Sequence, residues 1–384
     1  MHHINNFQLS TLNCQLKTFY ILFTQKKKKK KKKKKTQITK LHYTKEPQGA
    51  LFNLLKFCSI FYGIGSGFKN YLYDKNILKP KKVDAFVISI GNFTTGGVGK
   101  TPVVAEIAKY FVNKGERVAI VSRGYGGKLN NKNINVISDG INLYYKADMA
   151  GDEPYWLAVN LNMCAVLTCS NRVKAAEYAI KELGVTKIIL DDGFQHRKMA
   201  RDLNVVLVDS EKMFGNENLL PAGPLREGMD GFNRVDKLIV VSKNVDHTRA
   251  EKIARILDKK FMKKAPTPAL SQGEEVCTTL LCKVEPDYCY NIISGELLPK
   301  GEEITALSAI GQPEQFYNFL EKDYNIKDKV TFDDHHQYTI EDVENIEGAV
   351  VTTEKDAVKL ALLGKTNIYA LKLKTVLDVE KLLA

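Results

Sequence analysis

The sequence has no paired cysteines. Its seven, Cys14, Cys58, Cys164, Cys169, Cys277, Cys282 and Cys289, are irregularly spaced and form no Cys-x-x-Cys. That argues against a disulfide framework and against a zinc-finger spacing, and leaves reduced, mostly structural thiols in a cytosolic setting. No segment reaches the ~18–20 uninterrupted apolar residues of a membrane span. There is no internal repeat. The chain also lacks a strongly charged body: of the formal +13, Lys26 to Lys35 supply ten positive charges, leaving +3 for everything else. The body is therefore not a strongly basic nucleic-acid binder, and no nucleic acid is expected as a partner. The lysine run cannot bury apolar surface, so residues 1–45 are expected to be disordered and outside the fold. It reads as a low-complexity 5′ extension, or as an electrostatic tether worth ~1 kcal/mol per lysine at an anionic lipid surface.

What is present is a phosphate-binding loop. Val83 to Ile90 is a short apolar, β-branched run that suits a buried strand. Gly91-Asn92-Phe93-Thr94-Thr95-Gly96-Gly97-Val98-Gly99-Lys100-Thr101 follows, and Pro102 to Phe111 suits an amphipathic helix with proline in its first turn. Glycines let backbone N–H groups curl round an anion, and the helix start adds partial positive charge. Thr94, Thr95, Gly96, Gly97, Val98, Gly99, Lys100 and Thr101 are the expected nucleotide-binding residues. Lys100 can reach the β- and γ-phosphates of ATP, and the Thr101 hydroxyl can ligate Mg²⁺. Thr94 stands where such loops usually carry glycine, which points to a particular subfamily.

Strand-like and helix-like segments alternate from residue 83. Strands are expected at Arg117–Ser122, Met163–Thr168, Lys187–Leu190, Asn204–Val208 and Lys237–Ser242, with a helix over Arg172–Leu183 closed by Gly184. This is the pattern of an α/β fold, a mostly parallel sheet with helices on both faces, whose ligands bind beyond the carboxyl ends of the strands. Ala265-Pro266-Thr267-Pro268 reads as a linker. The domain reading is 1–45 disordered, 46–82 an interfacial N-terminal segment, 83–264 a P-loop core, and 265–384 a smaller C-terminal α/β domain. In the last, strands are expected near Ile292, at Ile304–Ile310, at Ala349–Thr353 and at Ile368–Leu373, with a helix from Pro313 to Tyr324. In residues 50–64, Leu51, Leu54, Leu55, Cys58 and Phe61 fall at helical spacing, with lysines further on. That fits a helix in a membrane interface, and equally one packed on the protein's own core.

Several acidic and basic groups gather at the same sheet edge. Asp191 and Asp192 end an apolar strand, the position from which a P-loop protein holds Mg²⁺. Asp152 or Glu153, in a loop entering a helix, could accept a proton from an attacking hydroxyl, or could simply complement the helix dipole. Phe332-Asp333-Asp334-His335-His336 suits a histidine that orients a carboxylate better than a metal site. Arg226, in a Pro/Gly-rich loop, and Arg123, in a Gly-rich turn, can offer planar forks to phosphate. Ser242-Lys243-Asn244-Val245-Asp246 has the composition of a guanine-reading loop in the wrong order. This keeps open a regulatory or metal-delivery GTPase, beside a non-catalytic membrane adaptor.

Seven motifs stand in order: Gly-Asn-x-x-x-Gly-Gly-x-Gly-Lys-Thr-Pro, Ser-Arg-Gly-Tyr-Gly, Gly-Asp-Glu-Pro, Asp-Asp-Gly-Phe-Gln-His, Leu-Leu-Pro-Ala-Gly-Pro-Leu-Arg-Glu, Asp-His-His and Thr-Glu-Lys-Asp-Ala. Together, from about residue 50 to the C-terminus, they resemble the tetraacyldisaccharide 4′-kinase family of lipid A biosynthesis. The resemblance implies ATP-dependent phosphorylation of the 4′-hydroxyl of a membrane-embedded lipid disaccharide 1-phosphate. It also implies an N-terminal helix seated in the membrane interface, on the cytoplasmic face of a bacterial inner membrane, and no obligate protein partner. It makes Asp152 the base and His335 its orienting partner, gives Lys100 and Thr101 phosphate and Mg²⁺, assigns Asp191 and Asp192 to the metal or its shell, and lines the site with Gln195, His196, Arg226 and Glu227. The sequence departs from the family pattern at Ala309-Ile310-Gly311-Gln312-Pro313, and segment 270–303 is weakly matched.

Overall fold

A computed structural model of the chain describes residues 37–243, 246–262, 279–311, 313–334 and 336–384. The lysine run, the Ala265–Pro268 linker, His335 and part of the Ser242–Asp246 segment lie outside the described residues. In chain order the main elements are α1 (Ala50–Asp74), β1 (Phe86–Gly91), α2 (Lys100–Asn113), β2 (Val118–Ser122), β3 (Asn135–Ser138), α3 (Asp152–Asn160), β4 (Cys164–Thr168), α4 (Arg172–Leu183), β5 (Lys187–Asp191), β6 (Leu203–Asp209) and β7 (Lys237–Ser242). Then come α5 (Thr248–Leu257), β8 (Thr279–Asn291), β9 (Glu303–Ser308), α6 (Pro313–Leu320), β10 (Asn325–Thr331), β11 (Ala349–Thr353), α7 (Glu354–Leu360), β12 (Ile368–Val376) and α8 (Val379–Leu383).

Among the described residues twelve strands form one sheet, in the order β10-β9-β11-β12-β8-β7-β6-β1-β5-β2-β4-β3. Neighbours run parallel except β12 with β8 and β3 with β4. The expected α/β architecture is therefore present. Strands covered on both faces read as continuous apolar runs, and the side chains of β1 divide by alternation. Ile88 and Ile90 face Val103, Val104, Ile107 and Phe111 of α2. Val87 faces the opposite layer, where Val173, Ala176 and Ala179 of α4 pack with Val121, Leu167 and Leu190. Capping sets the ends of α4. The Asn171 side chain accepts from Lys174 N at 3.4 Å, and Gly184 stops the helix at φ 64°.

Two strands escape sequence reading for physical reasons. β3 is four residues long at a sheet edge, and β10 is largely exposed, so neither carries a long apolar signal. β8 pairs with β7 on one side and β12 on the other, so strands from before and after residue 265 share the sheet. The helix expected to reach Tyr324 ends at Leu320. Four of the described cysteines, Cys164, Cys169, Cys282 and Cys289, are buried and free, and Cys58 is free and exposed. Burial pushes the Cys164 and Cys282 thiols up to about 12, which makes both inert.

Among the described residues the chain divides into two compact units, one holding the residues up to 66 with 214–226, the other those of 67–213 with 227–384. In the first, the small polar positions of α1 meet the proline-rich segment. Ser59 Oγ donates to Leu219 O at 2.9 Å and accepts from Ala222 N at 3.1 Å, and the Tyr62 hydroxyl donates to Arg226 O at 2.8 Å. Leu54, Phe57, Ile60, Phe61 and Ile64 stay exposed, each by more than half. With 25 residues, α1 is the one helix among the described residues long and apolar enough, by length and composition, to cross a membrane. It runs ten residues past the 50–64 segment singled out in the sequence.

Candidate active site

The second unit carries the phosphate loop between β1 and α2. Gly99 caps α2 with φ 99°, a left-handed conformation that glycine adopts without strain. This turns the loop so that Lys100 and Thr101 open the helix. Asn92 organises the loop from below. Its amide donates to Thr94 O at 2.6 Å and to Thr94 Oγ1 at 3.2 Å, while its carbonyl oxygen accepts from Lys100 Nζ at 3.0 Å. The threonine at the usual glycine position is thus buried and bonded to the loop's own asparagine. Thr95, Gly96, Gly97 and Val98 complete the turn, and a Cβ added at Gly97 would meet nothing within 4 Å.

The acidic strand end stands beside the loop, as the sequence implies. β5 is hydrogen-bonded to β1, with Ile90 opposite Asp191. Asp192 then leaves the strand at φ 53°, a backbone conformation sparsely used by non-glycine residues and concentrated at functional sites. Its carboxylate pairs with Lys100 Nζ at 3.2 Å. Asp191 is buried, and its Oδ1 finds no hydrogen-bond partner among the described residues. Desolvation, with the charge of Glu153 next, raises its carboxyl to about 7. An orphaned carboxylate oxygen of this kind fits a hard divalent cation, and the hydroxyl of Thr101 and the carboxylates of Asp191 and Asp192 are the hard oxygen donors Mg²⁺ takes. Among the described residues no group of three or more His, Cys, Asp or Glu forms a ready-made metal cage.

Asp152 and Glu153 open α3, where the helix start favours negative charge. Gly151 precedes them at φ 92°, and a side chain there would meet Tyr125 O at 2.9 Å and Gly127 N at 3.0 Å. The Arg123–Gly127 turn therefore packs on the loop that presents Asp152, and Arg123 itself is exposed. Asp152 is buried, with Lys359 Nζ 3.3 Å from its Oδ2. His335, the expected partner of Asp152, lies outside the described residues. Its neighbour His336 turns elsewhere, bonding Asp342 Oδ2 at 2.8 Å.

Gln195, His196 and Glu227 are built into the floor. Glu227 is buried and accepts from Asn70 at 2.9 Å, Gln195 at 2.9 Å and Arg234 at 2.6 Å, and Gln195 also donates to Asn92 O at 3.1 Å. The Glu227 network thus reaches the phosphate loop. His196 Nδ1 lies 3.2 Å from Arg172 NH1. Because guanidinium only donates, Nδ1 is the acceptor and the ring is neutral. Burial and then the charges of Arg172 and Arg201 push its pKa down to about 3. Arg226 belongs to the first unit, where its carbonyl receives Tyr62.

Four residues of this region carry little sequence signal. Arg201 gathers the carbonyls of Gly193, Phe194 and His196 and so shapes the Asp192–His196 turn. Arg172 fixes His196. Lys243, one residue past β7, donates to Gly97 O at 2.5 Å and pairs with Asp209 at 3.1 Å, placing a second ammonium on the loop. Its position at a strand's carboxyl end was the available clue. Lys359 follows the last quoted motif by two residues and is separated from Asp152 by 207 positions, so spacing gave none.

A parallel sheet, a glycine-rich loop opening α2 and an acidic end on the adjacent strand define a P-loop α/β protein of the nucleotide-binding class. Within that class, the family model described as tetraacyldisaccharide-1-P 4′-kinase matches residues 51–384, and the chain belongs to this family. It is 35% identical over 334 residues to the tetraacyldisaccharide 4′-kinase of Syntrophus aciditrophicus, covering 83% of this chain and 86% of the relative. It is 36% identical over 314 residues to that of Halothermothrix orenii, covering 76% and 79%. Among solved structures it is similar to LpxK from Aquifex aeolicus in complex with ATP, with a TM-score of 0.67, 33% identity, and coverage of 87% of this chain and 97% of that one.

Proposed function

We propose that the chain transfers the γ-phosphoryl group of ATP to the 4′-hydroxyl of a tetraacyldisaccharide 1-phosphate in lipid A biosynthesis. The observation that carries this reading is Lys100 at the phosphate loop, held by Asn92 at 3.0 Å and by Asp192, from the acidic end of the adjacent strand, at 3.2 Å, and the base is read as Asp152, buried at the start of α3. Family membership supplies the acceptor. The acceptor oxygen forms a bond to the γ-phosphorus as the bond from that phosphorus to the β–γ bridging oxygen breaks. The hydroxyl proton goes to Asp152, and ADP leaves. Lys100 and the loop N–H groups stabilise charge on the phosphoryl oxygens, which is most of what a protein contributes to such a transfer. Thr101, Asp191 and Asp192 would hold Mg²⁺, which would supply further charge neutralisation. His335 is proposed to orient Asp152, and Arg123 and Arg226 to serve the substrate's phosphate. Gln195, His196 and Glu227 hold the shape of the floor. Residues 265–384 are proposed as the smaller lobe and 83–264 as the kinase core. The exposed aromatic face of α1 is proposed to lie in the cytoplasmic interface of the inner membrane, bringing the enzyme to its glycolipid.

Asp152→Asn tests the assignment of the base. It should lower kcat by about 10²–10⁴ while the Kd for ATP stays within about twofold, because the base acts at the chemical step. Turnover near that of the native protein would remove Asp152 from the role.

A further inference from the structure

The Thr353–Lys359 segment has no part in the chemistry described so far, yet it is built with unusual economy. Thr353 caps α7, its hydroxyl oxygen accepting from Asp356 N at 3.1 Å. Asp356, with no side-chain exposure, accepts from Thr353 Oγ1 at 2.9 Å and from Ala309 N at 2.9 Å, which ties α7 to the end of β9. Lys359 lies three residues on, the spacing that puts both side chains on one helix face. Its ammonium is 3.3 Å from Asp356 Oδ1, 3.3 Å from Asp152 Oδ2 and 3.0 Å from His336 O. The ammonium donates to Asp152 Oδ2 and to His336 O, while Asp356 Oδ1 lies within ion-pair distance without a hydrogen-bond partner among the described residues. The Lys359 side chain is 5% exposed and that of Asp152 6%. The Tyr338 ring, 5.6 Å from Nζ, covers it further.

Burial at that level is costly for a lysine unless its charge is matched, and two carboxylates match it. The same α7 sends Lys355 toward Glu153, 4.0 Å away and more open to water. One helix of the C-terminal segment thus reaches both acidic residues of the α3 first turn, but only the Asp152 contact is buried.

We propose that Lys359 is a positioning residue for the phosphoryl transfer: Thr353, Asp356 and Lys359 form a cap-and-clamp that fixes the Asp152 carboxylate in one rotamer and keeps it ionised. This rests on the reading of Asp152 as the base. It gives the Thr-x-x-Asp-x-x-Lys pattern a purpose, the delivery of a single ammonium from the C-terminal segment to the catalytic helix.

The test is steady-state transfer of label from γ-labelled ATP to a tetraacyldisaccharide 1-phosphate, with Asp152→Asn, Lys359→Met, the double variant and Lys355→Ala. Lys359→Met should lower kcat by about 10–100-fold with KM for ATP within about twofold, and adding it to Asp152→Asn should cost little more, because the lysine acts through Asp152. Lys355→Ala should stay within about threefold of the native kcat. Native kcat in Lys359→Met, a full additional loss in the double variant, or an equal loss in Lys355→Ala would each overturn the proposal. Should Lys359→Met fail to fold, Lys359→Gln keeps an N–H donor without charge; reduced kcat at unchanged KM supports the clamp, and native kcat overturns it. Native turnover in Asp152→Asn alone would instead sink the reading of the base, so the two failures are distinguishable.

Discussion

Replacing Phe57 and Phe61 of α1 by serine should detach the protein from membranes without unfolding it. The two rings meet edge-on at 5.3 Å and are 58% and 62% exposed. A phenylalanine buries roughly 150–250 Å² when fully enclosed, so each ring presents about 90–150 Å² to water. At about 25 cal/mol per Å², full transfer out of water is worth about 2–4 kcal/mol per ring, and an interfacial helix gains about half of that. The pair therefore contributes about 2–4 kcal/mol to partition. Since about 1.4 kcal/mol is tenfold, vesicle affinity should fall by roughly a hundredfold. Surface substitutions of this kind change stability by only about 0.5 kcal/mol, so the unfolding midpoint should hardly move. Co-sedimentation with vesicles of phosphatidylethanolamine and phosphatidylglycerol reads the effect directly. The double variant binding within about threefold of the native chain, at an unchanged unfolding midpoint, would refute the interfacial reading of this face.

Two further outcomes concern the site's frame. His196 is neutral in the folded protein with its pKa near 3, against 6.5 when unfolded, so below pH 6.5 the unfolded chain binds the extra proton. Its contribution to stability is complete above pH 6.5 and is lost as pH falls toward 3. After discounting for the water that still reaches the ring, the loss between pH 6.5 and 5 should be about 1 kcal/mol, and urea midpoints of His196→Gln should show a shallower decline over that range than the native chain. Gly91→Ala would place its methyl 2.5 Å from Phe194 Cβ and 2.8 Å from Phe194 N, and backbone yields less readily than a side chain. It should cost about 1–3 kcal/mol and weaken ATP binding by displacing Asn92, as thermal unfolding and nucleotide titration would show.

How much of this was legible in the sequence depended on range. The phosphate loop is local: strand, glycines, lysine and helix lie within thirty residues, and the elements appear at those places. The acidic end of β5 was legible because a parallel strand buried on both faces announces itself as Lys187-Ile188-Ile189-Leu190 and stops at a charge. From its own surroundings in the sequence Asp152 was one of two carboxylates, since Glu153 has the same local context, and the family resemblance alone chose it. What separates them is Lys359, which reaches one at close range under cover and leaves the other to a longer, wetter contact with Lys355. Glu227 reads in sequence as a loop residue and proves to be a buried counter-ion joining Asn70, Gln195 and Arg234. β10 escaped because Asn325-Ile326-Lys327-Asp328-Lys329 lies at the sheet edge with most of its side chains in water.

The central claim is that this loop delivers phosphate to a lipid sugar. The most direct measurement is label transfer from γ-labelled ATP with Mg²⁺ to a tetraacyldisaccharide 1-phosphate in detergent micelles, with Lys100→Ala alongside. The account predicts label in the lipid with the native chain and a loss of at least about a hundredfold in the variant, the scale of removing a charge-stabilising donor. Nucleotide binding by folded protein without any labelled lipid, or undiminished transfer by Lys100→Ala, would contradict it.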